Sequence, residues 1–190
     1  MPQHKATPRA IQYDVVIATF IGLCALAVGC YTAFMQRQQV RAVVWPILEF
    51  DSNNGPIQFK LTNKGVGPAI IKHVIVKVDG QPMRNWIDVM AKLEGPEQPH
   101  YAESDMNSRV LSAGEQLDIF TPHDANNNPL NFDKSNPLWV KLNHERLRVS
   151  VEICYCSTLG ECWTLRAAPK GATTTECKNC PARSATSFEQ

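Results

Sequence analysis

The sequence predicts a mainly β protein: an N-terminal transmembrane α-helix, then an antiparallel, immunoglobulin-like β-sandwich with one or two short helices. Three observations predict it. Val15 to Met35 is an unbroken uncharged run between Asp14 and Arg37. Beyond it, apolar and polar residues alternate over several short segments, the two-residue period of half-buried strands. Turn-forming pairs such as Asn54-Gly55 and Asp79-Gly80 punctuate those segments.

A lipid-spanning helix needs about 20 apolar residues at ~1.5 Å rise each, and the first run is that long. A cleaved signal peptide has a core of only about 7–15 apolar residues followed by a small-residue cleavage site; this run is longer and ends in no such site. Ala27-Val28-Gly29-Cys30 loosely resembles a bacterial lipobox, which leaves lipidation at Cys30 as an alternative. Against it, Tyr31 to Met35 continues the apolar run where a lipoprotein turns polar. Lys5, Arg9 and the amino terminus precede the run while Arg37 and Arg41 follow it, a small bias toward a cytoplasmic N-terminus. Within the run, Ala18, Gly22, Ala25 and Gly29 recur at helical spacing, a helix-packing stripe where a second membrane helix can approach closely. Gly and Ala are also simply common in membrane helices, so the stripe has a plain reading too.

The remaining elements follow in order. Gln36 to Val43 continues the helix until Trp45-Pro46 stops it, because proline disfavours helix in its predecessor. Val44–Asp51 and Pro56–Asn63 flank Asn54-Gly55 as a hairpin, with Ile57, Phe59 and Leu61 on one face of the second strand. Pro68–Asp79 reads as another strand. In Arg84–Glu94 the period changes: Trp86, Val89, Met90 and Leu93 stand at helical spacing, and Gly95-Pro96 ends that helix. Arg109–Thr121 reads as a strand pair or a bent strand around Ala113-Gly114, and Pro137–Asn143 as a short helix with proline in its first turn. Leu147–Tyr155 alternates most clearly, and Cys162–Ala167 pairs back against it. Ala168–Gln190 is small, polar and Thr-rich, the composition of a tail. The predicted organisation is 1–14 a short cytoplasmic tail, 15–36 the transmembrane helix, 37–43 a juxtamembrane linker, 44–167 the β-sandwich and 168–190 a flexible Cys-containing tail.

The net charge of +1 and the lack of a basic cluster give no footprint for nucleic acid. Of seven cysteines, Cys24 and Cys30 lie inside the apolar run and five crowd near the C-terminus: Cys154, Cys156, Cys162, Cys177 and Cys180. Such crowding in a short domain suits an oxidising compartment, where disulfides persist. Cys156 and Cys162 flank the loop Ser157–Glu161 at a hairpin mouth, within disulfide range, and are the first choice of pair. Cys154 then bonds Cys177 or Cys180, or those two pair locally; the odd count leaves the rest of the connectivity open. Four thiolates offer zinc a tetrahedral site, but Cys154-x-Cys156 on a strand is a poor half-site beside Cys177-x-x-Cys180, so no metal and no cofactor is expected. A thioredoxin-like role fits less well still, since that motif opens a helix after a strand.

Asn63-Lys64-Gly65-Val66-Gly67-Pro68 lacks the GK[ST] of a phosphate loop and reads as a strand-connecting turn. Asp124, Asn126 and Asn128 match the first ligands of a calcium loop, yet Pro129 and Ser135 occupy positions that need glycine and glutamate. His73, His100, His123 and His144 are dispersed, and no G-x-S-x-G, HExxH or Walker pattern occurs, so no enzymatic activity is expected.

Gln39 to Pro46, Leu61 to Ala69, and Cys154-Tyr155-Cys156-Ser157 with Cys162-Trp163 together resemble a group of uncharacterised single-pass bacterial membrane proteins with a small extramembrane domain, over about residues 15 to 166. The resemblance implies a bacterial envelope setting and no activity. The expectation is a non-enzymatic protein of the bacterial inner membrane with a cytoplasmic N-terminus. Its periplasmic β-sandwich would bind a protein partner or serve a structural role, with the lipid bilayer and a membrane helix or periplasmic protein as partners. The alternative is a thiol-redox or zinc-binding protein using the distal cysteines.

Overall fold

Helix α1 runs unbroken from Pro8 to Val43 in the computed structural model, which describes residues 8–94, 100–182, 184 and 186–189. The chain divides into two units between Ala42 and Val43. Of the cytoplasmic tail expected over 1–14, residues 1–7 lie outside the described residues, and 8–14 already belong to α1. Tyr13–Val43 is long and apolar enough to cross a membrane. The segment expected as a linker, 37–43, is helical as well. Thr19 and Thr32 donate their hydroxyls to Val15 O and Val28 O, each at 2.8 Å, so neither brings an unmet polar group to an apolar setting.

The second unit is mainly β and holds two antiparallel sheets. The first has strand order β1-β2-β7-β5, from β1 (Leu48–Asn54), β2 (Ile57–Asn63), β5 (Tyr101–Glu103) and β7 (Gln116–Pro122). The second has order β10-β9-β8-β3-β4, from β3 (Ala69–Val78), β4 (Gln81–Met83), β8 (Val149–Cys156), β9 (Cys162–Ala168) and β10 (Gly171–Cys177), with the short β6 (Val110–Leu111) also paired to β3. Leu61, Ile71, Val74, Val76, Ile119 and Ile153, drawn from both sheets, are fully buried in one core.

The β1–β2 turn is displaced by one residue from the expected Asn54-Gly55. Asn54 pairs with Ile57, so the connecting residues are Gly55 and Pro56, joined by a cis peptide. Pro56 has no N–H to give to a strand ladder, and it therefore sits in the turn. The segment expected as a strand pair around Ala113-Gly114 changes sheet instead, with β6 on the second and β7 on the first. Gly114, at φ +74°, makes the corner.

Two α-helices follow the expected positions in this unit. α2 (Trp86–Glu94) presents Trp86, Val89, Met90 and Leu93 to the core; its expected stop at Gly95-Pro96 lies outside the described residues. α3 (Pro137–Glu145) is capped by Asn136, whose Oδ1 accepts from Leu138 N at 3.0 Å and Trp139 N at 3.3 Å. It extends two residues past the expected end, into a 3₁₀ turn at Arg146–Arg148.

The end of the chain departs furthest from expectation. Residues 168–190 read as a polar tail, yet β10 pairs with β9 from Gly171↔Ala168 to Cys177↔Cys162. Its Thr173, Thr174 and Thr175 are exposed. They suit an edge strand, where β-branched side chains stiffen the backbone without needing burial. Farther on, Phe188 is fully buried against Trp86, and Phe188 N donates to Val74 O at 2.9 Å.

Candidate functional site

Strand pairing gathers the distal cysteines. In the ladders, Cys156 lies opposite Cys162 and Cys162 opposite Cys177, while Cys154 lies opposite Thr164. Directly opposed residues of antiparallel strands share a face. Cys154, Cys156, Cys162, Thr164 and Cys177 therefore all point to one side of the second sheet. Tyr155 and Trp163 point to the other, with ring centroids 5.9 Å apart. Burial pushes the Tyr155 phenol up from its usual value, and its hydroxyl accepts from Leu48 N at 3.4 Å, which ties β8 to β1.

The turn after β8 is closed by Ser157 N donating to Glu161 O at 2.8 Å, with Gly160 at φ +79°. Cys156 and Cys162 are joined across its mouth by a disulfide. A second disulfide joins Cys154 to Cys180, across 26 residues of sequence. Cys177 is left as a half-buried free thiol. Its Sγ lies 3.6 Å from Cys154 Sγ and accepts from the Thr164 hydroxyl at 3.7 Å. Cys180 Sγ in turn lies 3.7 Å from Cys156 Sγ.

His73 sits on β3 directly opposite Cys154 and is buried. Its Nε2 is 2.9 Å from Ser187 Oγ, so the same face of the sheet also receives the C-terminal segment. Neither this placement nor that of Thr164 was signalled by spacing, because both depend on the β3–β8–β9 register.

The sulfur atoms of Cys154, Cys177 and Cys180, and those of Cys156, Cys162 and Cys180, all lie within 4.8 Å of one another in each group. As reduced thiolates they would suit a tetrahedral zinc. As disulfides, four of the five are withdrawn from metal binding and Cys177 alone keeps a thiol. No family model, curated protein or solved structure matches this chain.

The other sequence candidates resolve differently. Ala18, Gly22, Ala25 and Gly29 are exposed along α1, and a methyl built on Gly22 or Gly29 meets nothing within 4 Å. The Asn63–Pro68 loop is a close-packed turn. Asn63 is fully buried, its Nδ2 donates to Gly67 O at 2.8 Å and Leu111 O at 3.0 Å, and its Oδ1 accepts from Gly65 N at 3.0 Å and Ile47 N at 3.2 Å. Asp124 turns its carboxylate onto its own loop, accepting from Asn126 N at 2.8 Å and Asn128 N at 2.9 Å. The backbone bond from Asn128 holds its pKa below the usual carboxylate value. His100 and His123 meet through their backbones at 2.6 Å, and His144 is exposed beside Glu145.

Proposed function

We propose that the protein is a single-pass membrane anchor that displays an immunoglobulin-like β-sandwich outside the cytoplasm of a bacterial inner membrane, N-terminus inside, and acts by binding a protein partner rather than by catalysis. One observation carries this reading: four of the five cysteines beyond the helix form two disulfides, bonds that persist in oxidising compartments and are rare in the cytosol. The length and unbroken helicity of α1 through Cys30 support an anchor over a chain that begins at a lipidated Cys30. For the binding role, the support is a surface next in sequence to the anchor. Trp45, Ile47 and Val66 are exposed on segments bonded to each other, with Val66 N donating to Trp45 O at 3.0 Å. Apolar side chains set on so firm a loop suit a partner surface.

A reporter fused after Gln190 that works only outside the cytoplasm tests the orientation; activity supports the reading, and activity of a cytosol-only reporter overturns it. Partner binding is tested by photo-crosslinking from position 66 in intact membranes. A discrete crosslinked species that disappears in Trp45→Ser supports binding; the same pattern in wild type and variant overturns it. A thiol role has one observation in its favour, the free Cys177 beside Cys154.

A further inference from the structure

The distal sulfurs form one continuous chain. Cys177 Sγ contacts Cys154 Sγ at 3.6 Å, Cys154 is bonded to Cys180, Cys180 Sγ contacts Cys156 Sγ at 3.7 Å, and Cys156 is bonded to Cys162. Both non-bonded gaps are sulfur–sulfur contacts, with no atom able to stand between them. A passive pair of staples has no need of a free thiol against one bond and of the two bonds against each other. We propose that this chain is a thiol–disulfide exchange site, with the Cys177 thiol as nucleophile and the Cys154–Cys180 disulfide as the bond it attacks.

In the first step Cys177 gives its proton to water; its sulfur, which rests to one side of the Cys154–Cys180 bond with all three sulfurs within 4.8 Å of one another, swings into line with that bond and its thiolate attacks Cys154 Sγ. The Cys154–Cys177 bond forms as Cys154–Cys180 breaks; the bonding pair leaves on Cys180 Sγ, which takes a proton from water. One thiol is consumed and one released, so no oxidant or reductant enters. The freed Cys180 sulfur already faces Cys156. A second exchange forms Cys156–Cys180, breaks Cys156–Cys162 and leaves the thiol on Cys162. Cys154 and Cys177 lie two strands apart, with β9 between them, so bonding them draws the end of β10 toward β8 and loosens its last pairing with β9. Thr164 orients the attacking sulfur from the neighbouring strand.

The swap has a structural consequence. With Cys154 bonded to Cys177, the covalent pin on the chain beyond β10 is released. The segment reaching Ser187 and Phe188 is then held by its bonds to His73 and Val74 and by the burial of Phe188. The exchange site thereby sets how firmly the C-terminal segment is held to the second sheet.

The sequence provides a clean readout, because trypsin cuts after Arg148, Arg166, Lys170, Lys178 and Arg183. Cys154, Cys156 and Cys162 fall on fragment 149–166, Cys177 on 171–178 and Cys180 on 179–183. The full chain, purified in detergent without reductant, is held at about pH 8, where thiolate forms, then blocked with N-ethylmaleimide and mapped. The expected result is fragment 149–166 linked both to 179–183 and to 171–178, the second on the order of a tenth of the total or more. Cys177→Ser should lose the second species and leave Cys180 unlabelled. A single linkage to 179–183, with Cys177 the one distal cysteine labelled, overturns the proposal, as does retained zinc with every distal thiol reactive once it is stripped. The first outcome leaves the compartment and the partner untouched; the second would also remove the two disulfides on which the compartment rests.

Discussion

Trp86 and Phe188 meet edge to face, their ring centroids 5.2 Å apart and their planes at 74°. Through that contact a residue two short of Gln190 joins Phe59 and Phe120 around the same indole, at 5.8 and 4.6 Å from it. The segment is also tied by Asn107 Nδ2, which donates to Phe188 O at 2.8 Å. Phe188→Ala should therefore destabilise the β domain like any emptied core site, by about 3–5 kcal/mol, and Phe188→Leu by much less. Denaturant unfolding of the full chain in micelles, followed by tryptophan fluorescence, measures both. Equal midpoints for wild type and Phe188→Ala would show that the end of the chain is only laid against the core.

Asn63 does for the β2–β3 connection what no apolar residue can. It answers three carbonyls and two amides from the Trp45–Ile47 segment, its own loop and Leu111-Ser112. Asn63→Ala strands those backbone groups, at about 1–3 kcal/mol for each one kept from water. Gly67 beside it has no room: a Cβ there would stand 2.1 Å from the carbonyl of Val44. Both Asn63→Ala and Gly67→Ala should lower the unfolding midpoint sharply, whereas Lys64→Ala, on the exposed side of the same loop, should leave it near wild type.

The two disulfides differ in the loops they close, 26 residues apart for Cys154–Cys180 and six for Cys156–Cys162. Loop-closure entropy grows with length, so removing the longer link should cost about 1 kcal/mol more than removing the shorter. The comparison uses Cys154→Ser with Cys180→Ser against Cys156→Ser with Cys162→Ser, both made in a Cys177→Ser background so that no sulfur can re-pair. An equal loss in the two double variants would contradict the loop argument.

Local periodicity made much of the fold legible. Ile57, Phe59 and Leu61, and Val149, Val151 and Ile153, alternate as half-buried strands do, and these are the strands at the centre of the two sheets. What stayed hidden was carried by long-range pairing. Gln81–Met83 and Tyr101–Glu103 are too short to show a period, and Gly171–Cys177 buries none of its side chains fully. Phe188, flanked by Ser and Glu, has no apolar neighbour in sequence to mark it as core. The cysteine cluster was legible as a composition. That Cys177 touches Cys154 while Cys180 bonds it depends on the β8–β9–β10 register, which the spacing of the residues does not contain.

Arg148 bridges two carboxylates that the chain brings from opposite directions, Asp79 in the β3–β4 turn and Glu145 at the end of α3. Its Nε lies 3.0 Å from Asp79 Oδ1. Hydrogen bonding to this guanidinium holds both carboxyls below their usual values. A carboxyl whose folded pKa is depressed stabilises the fold above its unfolded value, and that contribution is lost as pH falls through the folded value. Stability should therefore fall on acidification below about pH 4.5, where unfolded carboxyls begin to bind protons. Arg148→Gln should flatten that acid slope without removing it, because Asp124, Asp133 and Glu115 are depressed by hydrogen bonds of their own. Asp79 is exposed and Glu145 partly so, so the effect is small and shrinks with added salt. Carboxyl-carbon NMR titration gives the sharper reading: in Arg148→Gln the Asp79 and Glu145 midpoints should rise while that of Asp124 stays put. Unmoved midpoints for Asp79 and Glu145 would mean that Arg148 is not what depresses them.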